Sequence, residues 1–363
     1  MPQEGRGHSF HRNASDYPRL LQMCWTGVMK NRRIVLASRP QGAPAEANFR
    51  LETEELAAPA DGQLLLKTLY LSLDPYMRGR MSAGPSYAPP IEVGAPMTGG
   101  TVCQVVESRA GGFVPGDTVL AFTGWQDYSV LSPEGLRKLD PSAAPVSTAL
   151  GILGMPGMTA YTGLLNIGQP RPGETVVVAA ASGAVGSVVG QIAKIRNCRA
   201  VGIAGGKDKC DYVVKELGFD VCLDHRSATF PEDLKSACAS GIDVYFENVG
   251  GQVFAAVLPL MNNFGRVPVC GLIAQYNMTE LPEGPDRTPL LMRSILAKRL
   301  TFRGFIVSDF SAQTGECLRD MSGWLREGRL RYREDIVDGL ENAPKALIGL
   351  LQGKNFGKLL IRF

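Results

Sequence analysis

The run TVVVAAASGAVGSVVGQIAKI, Thr175 to Ile195, constrains the fold more than any other part of the chain. "TVVVA" is strand chemistry, "AVGSVVGQIAKI" spaces its apolar residues as one face of a helix, and glycine separates the two. A strand that turns on glycine directly into a helix opens a βαβ unit, because parallel neighbours need a crossover and a helix is the usual one. In the G-x-G-x-x-G pattern the first glycine makes the tight turn, the second admits backbone to a pyrophosphate, and the third lets helix pack on strand. Those slots hold Ala181, Gly183 and Gly186, with Gly190 one turn further on. The two positions where a side chain would collide with phosphate or strand are still glycine, so an anion site at the helix N-terminus survives the loss of the first.

The neighbouring sequence repeats the strand-helix rhythm. "RAVGIAG" precedes "KDKCDYVVKELG", "IDVYFENVG" precedes "QVFAAVLPLM", and "RVPVCGLIA" precedes "PLLMRSILAKRL". This predicts a doubly wound parallel sheet of the Rossmann kind, with helices on both faces. Upstream, "RIVLAS", "GQLLLKTLYLSL", "GGTVCQVVES" and "GDTVLAFTGWQDYSVL" read as short strands cut by Gly and Pro, the signature of a β-rich barrel or sandwich. The fold class is therefore α/β, with a β-rich unit before a dinucleotide-binding one. The closing "ENAPKALIGLLQGKNFGKLLIRF" reads as a helix and a last strand, which pattern alone assigns to neither unit.

The choice of dinucleotide rests on the end of the second strand, where NAD-binding proteins place an acidic residue for the ribose hydroxyls. The residues there are "AGGKDK". Lys207 and Lys209 open a helix, where the macrodipole disfavours cations; a 2′-phosphate between them explains their presence, and two solvated lysines on a turn are the alternative. Asp208 is the one candidate for an NAD-type carboxylate.

Other classes are excluded by composition. The 38 basic and 35 acidic residues give +3 without long single-sign blocks, so no nucleic-acid or membrane partner is implied. The eight cysteines contain no C-x-x-C pair, and of the three histidines only His225 lies in the body of the chain. A disulfide framework and a Cys/His metal site are both disfavoured, so no metal is expected. The first 28 residues lack a secretory h-region and cleavage site and are expected to be a disordered tail outside the fold. A cytoplasmic location is expected.

"LYLSLDPYMRGRM", "LGMPGMTAYTGL", "AAASGAVGSVVGQIAK", "LGFDVCLDH", "DVYFENVGG", "CGLIAQYN" and "GKNFGK", in this order, resemble the zinc-independent medium-chain dehydrogenase/reductases. The likeness runs from about Asn31 to Phe363. It lies with the branch of prostaglandin reductases, leukotriene B4 12-hydroxydehydrogenases and bacterial NADPH-dependent curcumin reductases. The resemblance implies a GroES-like catalytic domain with an inserted Rossmann domain: 29–147 catalytic, 148–316 NADP-binding, and 317–363 returning to the catalytic domain. It also implies NADPH as cofactor, a homodimer, and a small-molecule enone or alkenal whose carbon–carbon double bond is reduced by hydride transfer to the β-carbon.

Carried over residue by residue, the resemblance puts the pyrophosphate turn at Ser182, Gly183, Ala184, Val185 and Gly186 and the 2′-phosphate lysine at Lys209. His225 stands where relatives often have tyrosine. Asn248, Cys270, Gly271, Leu272, Ile273, Ala274, Gln275, Tyr276, Phe305, Ile306, Val307 and Asn355 fall where the family closes around the nicotinamide half. Tyr87, Phe122 and Thr123 fall on the substrate side. Tyr276, through the cofactor ribose, and Tyr87 are the expected catalytic residues, whereas Tyr76 reads as packing at the domain junction. From spacing alone, Asn248 equally caps a turn, Cys270–Ile273 equally form strand core, and Asn355 equally sits in a turn. A quinone oxidoreductase and a non-catalytic NADPH-binding protein are the alternative functions, with a zinc alcohol dehydrogenase disfavoured by its missing ligands.

Overall fold

The computed structural model describes residues 29–280 and 284–363; the expected tail, 1–28, lies outside them. The chain begins with β1 (Met29–Leu36) paired antiparallel to β2 (Phe49–Leu56). Then come β3 (Leu64–Ser72), the short helix α1 (Tyr76–Arg80), β4 (Thr101–Ser108), β5 (Thr118–Ala121), β6 (Tyr128–Leu131) and β7 (Arg137–Leu139). The sequence "FRLETEEL" was not expected as a strand: its alternation is of charge and exposed apolar residues, and β2 fully buries only Phe49. The expected strand run 116–131 is two strands. Gly124 breaks it at φ +77°, where a Cβ would strike the Met97 carbonyl.

Helix α2 (Met155–Thr162) leads into the second unit. Its strands are β8 (Thr175–Ala179), β9 (Arg199–Ala204), β10 (Val221–Asp224), β11 (Ile242–Phe246), β12 (Met261–Val269) and β13 (Thr301–Gly304). Helices α3 (Gly186–Ile195), α4 (Lys207–Lys215), α5 (Phe230–Ala237), α6 (Gly251–Val257), α7 (Thr288–Lys298) and α8 (Thr314–Arg326) lie between or after them. All pairs are parallel, in the order β10-β9-β8-β11-β12-β13, as the alternation predicts for a Rossmann sheet. One face of the sheet packs on α2, α3 and α8 through Val176, Val178, Val188, Ile192 and Met321. The other face packs on α5, α6 and α7 through Val177, Val201, Leu234, Val257 and Leu291.

The chain closes with β14 (Glu334–Asp338), α9 (Ala343–Leu351) and β15 (Lys358–Arg362). The last strand runs antiparallel to β3, with Leu360 opposite Ser72 and Ile361 opposite Leu71, which gives the sheet order β14-β15-β3-β4-β5-β7 with β6 also on β3. The final strand therefore belongs to the first unit. A division at 316/317 falls inside α8, and the structure moves it: Cys317, Met321 and Leu330 share a core with β8 and α3, so the return begins at β14. Helical spacing continues smoothly through that point, and only the burial partners reveal the change of unit. No described helix is long and apolar enough to cross a membrane.

Candidate functional site between the two units

In a doubly wound sheet, ligands bind beyond the strands' carboxyl ends, where the strand order reverses. Here that point is between β8 and β11, and Asn248 spans it: its amide donates to the Ala179 carbonyl at 2.8 Å. The amide thus bridges two strand ends at the floor of the crevice instead of capping its own turn. Beside it Glu247, 2% exposed, accepts from Tyr245 Oη (3.0 Å) and from the N–H groups of Val249 (2.6 Å) and Gly250 (2.8 Å). Burial raises its carboxyl above the usual range despite these donors. Sequence reading passed over Glu247, although an acid directly after an apolar strand was the available signal.

The turn after β8 is formed by Ala180 at φ +52°, and Gly183 N–H closes it on the Ala180 carbonyl (2.9 Å). The left-handed residue comes one position before the expected first glycine slot. Ala181 is fully buried with ordinary φ, so that slot needs no glycine. Gly186 does need to be one, because its Cβ would overlap the Ala180 carbonyl. Ser182 is buried, whereas Gly183, Ala184 and Val185 remain half-exposed. Among the described residues the N–H groups of Val185 and Gly186 have no protein acceptor. Two unspent donors at the start of α3 form an anion cradle.

At the end of β9 two cations and an imidazole converge. A Cβ on Gly205 would lie 3.0 Å from both Arg226 Nε and His225 Nε2, and Lys209 reaches over from α4 to donate to the Gly353 carbonyl at 2.7 Å. Burial, then repulsion by Arg226, lowers the Lys209 pKa; burial, then Arg226 and Lys209, lowers that of His225. The Asp224 carboxylate is engaged by the N–H groups of Gly206 and Arg226. Lys207 points elsewhere, pairing with Asp211 at 2.7 Å on the surface. Of the two lysines only Lys209 belongs to the cluster, and Arg226, next to His225 in "LDHRS", is a member that sequence reading missed. A cluster this crowded with positive charge fits a phosphate dianion.

The C-terminal segment walls the same cleft. Gly357 bridges to Gly183, and Asn355 donates to the Gly357 carbonyl at 2.9 Å, so its observed contact is that of a turn residue. On the opposite wall, Cys270 to Gln275 follow the end of β12 as a turn and a short 3-10 segment, not strand core. Tyr276 ends that segment, its Oη accepting a 3.4 Å bond from Leu272 N–H. That is its only bond among the described residues, so its own hydrogen is available to donate. Burial raises its phenol, and burial pushes the neighbouring Cys270 thiol up to about 12.

Tyr87 and Phe122 are exposed toward solvent, at 64% and 62%. Two expectations are corrected here. Thr123 is buried, and its hydroxyl is spent on Thr101 Oγ1 at 2.7 Å, so it presents no side chain to a substrate. Phe305 is 8% exposed and packs edge-on against Phe246 and Phe310, so its ring is core. Ile306 and Val307 stay half-buried, Val307 lining a largely apolar cavity of about 260 Å³ with Met155 and Met158. Tyr76 packs against the first unit's core, and burial beside Asp74 raises its phenol far above the usual range.

No group of three His, Cys, Asp or Glu side chains among the described residues could hold a metal ion. Residues 32–139 match a family described as the N-terminal domain of oxidoreductase, and 184–323 one described as zinc-binding dehydrogenase, whose metal these residues do not fit. The NADPH-dependent curcumin reductase of Escherichia coli (strain K12) is 58% identical over 92% of this chain and 97% of its own. Prostaglandin reductase 1 of Rattus norvegicus is 43% identical over 89% and 96%. The crystal structure of CurA in complex with NADPH from Vibrio vulnificus superposes with a TM-score of 0.89 at 56% identity, covering 91% of this chain and 98% of that one. The chain belongs to the medium-chain dehydrogenase/reductases, in the family of the curcumin and prostaglandin reductases.

Proposed function

We propose that the protein reduces the carbon–carbon double bond of α,β-unsaturated ketones or aldehydes with NADPH. The observation that carries the reading is the pairing, in one cleft, of an open N–H cradle and a cluster of Lys209, Arg226 and His225 with a tyrosine hydroxyl free to donate. NADPH, when bound, supplies the hydride for the β-carbon. Val185 and Gly186 would hold its pyrophosphate, and Lys209, Arg226 and His225 its 2′-phosphate. As negative charge gathers on the substrate carbonyl oxygen, it must meet a donor in a water-poor site. Tyr276 is that donor or orders the ribose hydroxyl that is, and Tyr87 lies on the substrate side. The relatives named as curcumin and prostaglandin reductases support the substrate class.

We further assign a homodimer and a cytoplasmic location. The first is supported by α7, which buries no residue fully and exposes Leu290, Met292 and Leu296, and by β13, which leaves one edge of the sheet unpaired.

NADPH oxidation measured against an alkenal, a curcumin-type dienone and a quinone tests the reading. Enone and alkenal should turn over, and Tyr276→Phe should lower turnover about 10-fold or more with its NADPH affinity kept. Turnover of the quinone alone would make the protein a quinone reductase; none with any acceptor would leave it a cofactor-binding protein.

A further inference from the structure

Arg78 is 3% exposed, yet among the described residues it pairs with no carboxylate; burial alone lowers its pKa. Its guanidinium is spent on three neutral acceptors. Nε donates to Asn277 Oδ1 at 3.1 Å, Nη1 to Ser82 Oγ at 2.7 Å, and Nη2 to the Gly42 carbonyl at 2.7 Å. A buried charge without a counter-charge is costly, and the core offers no reason for one here. What the geometry uses is the fork: three donors at fixed angles, which lysine cannot reproduce.

The three acceptors belong to separate stretches of chain. Gly42 is in the loop after β1, Ser82 follows α1, and Asn277 lies in the second unit, immediately after Tyr276. Gly42, at φ +75°, has its Cβ position 3.8 Å from the Asn277 carbonyl, so the two loops lie against each other as well as sharing the guanidinium. The turn that carries Tyr276 is tied to its own unit at its start, where the N–H groups of Gly271, Ile273 and Ala274 donate to the Glu247, Asn248 and Val249 carbonyls at 3.1, 3.2 and 3.0 Å, and Arg78 holds its far end from the first unit. Ala274 and Gln275 are exposed, and its internal bonds include the long ones at Tyr276 N–H (3.3 Å) and Tyr276 Oη (3.4 Å).

We propose that Arg78 is a positioning residue for Tyr276: from the first unit it clasps Asn277 and so fixes the turn 271–280 over the reacting end of the cleft. The inference rests on the reading of Tyr276 given above. It adds that the tyrosine is aimed from across the domain boundary, so that the site is assembled only when the two units are closed on each other.

Two variants test it. Asn277→Ala removes from a half-exposed turn one acceptor of the buried guanidinium; Arg78→Lys keeps the charge and loses the fork. Each should speed amide hydrogen exchange over 271–280 about 10-fold, the size expected for a charge-assisted hydrogen bond, and lower enone turnover by a similar factor. The unfolding midpoint of Asn277→Ala should fall by no more than the loss of that one hydrogen bond implies. In a Tyr276→Phe background Asn277→Ala should cost no further turnover, because the group it positions is gone. Losses that multiply would overturn the proposal, as would parental turnover in both single variants. Exchange at the parental rate overturns the clasp whether or not the parent reduces enones. A parent inactive on every enone but with the faster exchange in both variants would retain the clasp and remove only the enone reading.

Discussion

At the scale of single residues, the proposed selectivity for a phosphorylated cofactor falls to Lys209, Arg226 and His225. Burial, then the neighbouring Arg226, lowers the pKa of Lys209, and an anion bound between the two side chains would relieve that repulsion. Arg226→Ala and Lys209→Ala should each raise the Michaelis constant for NADPH about 10-fold or more, since charge-assisted contacts to phosphate contribute ~1.5–3 kcal/mol. Neither should change the constant for NADH, which lacks the group. Equal effects on both cofactors would place these side chains away from the phosphate. Lys209 was legible in the sequence because a cation at a helix start contradicts the dipole; Arg226 was not, because it follows a strand end and arrives by folding. Thr123 and Phe305 show the converse limit. Their positions match a substrate or cofactor wall, but whether a side chain faces the cleft depends on its rotamer and its neighbours: Thr101 for one, Phe246 and Phe310 for the other.

At the scale of elements, β8 and α3 were readable together because their apolar periods are long and uninterrupted. The strands that escaped notice are short or carry charge: β10 spans four residues and ends in Asp224, and β14 reads as EDIVD. Such strands form because neighbours supply the hydrogen-bond ladder, a tertiary effect that local pattern does not record. Helix α3 shows how closely one element is fitted to another. Gly190 lies against the ring of Phe219, which is 3% exposed, and a Cβ at Gly190 would overlap that ring. Helix propensity alone would make Gly190→Ala stabilising by ~1 kcal/mol. Overpacking should reverse the sign, for a net destabilisation of roughly 1–3 kcal/mol seen as a lowered denaturant midpoint. Phe219→Leu introduced beside it should recover part of the loss. A Gly190→Ala variant as stable as the parent would mean that the ring moves aside freely and that the glycine serves no packing purpose.

At the scale of the whole molecule, the chain leaves its first sheet, builds the second, and returns to pair β15 with β3, so the walls of one cleft come from segments far apart in sequence. The polar groups assigned to that cleft come from a single chain, and this sets up the test of the dimer. Helix α7 turns Leu291 and Ile295 toward the sheet and leaves Leu290 at 55%, Met292 at 57% and Leu296 at 79% exposure. The following β13 is a terminal strand with an unpaired edge, a feature that isolated proteins ordinarily blunt or cover. A second copy set against this face would bury these side chains at ~1.5–3 kcal/mol each. Met292→Glu with Leu296→Glu keeps good helix formers on the helix and places two carboxylates where apolar contact is needed, so association should weaken by several orders of magnitude. Sedimentation should give the parent twice the mass of one chain and the double variant the mass of one. Reduction of an enone per chain should be retained in the variant, since no group assigned to the cleft comes from the partner. A parent that sediments as a single chain, or a variant that still pairs, would remove this face as the interface; a variant that separates and loses turnover would mean that closure of the cleft depends on the second copy.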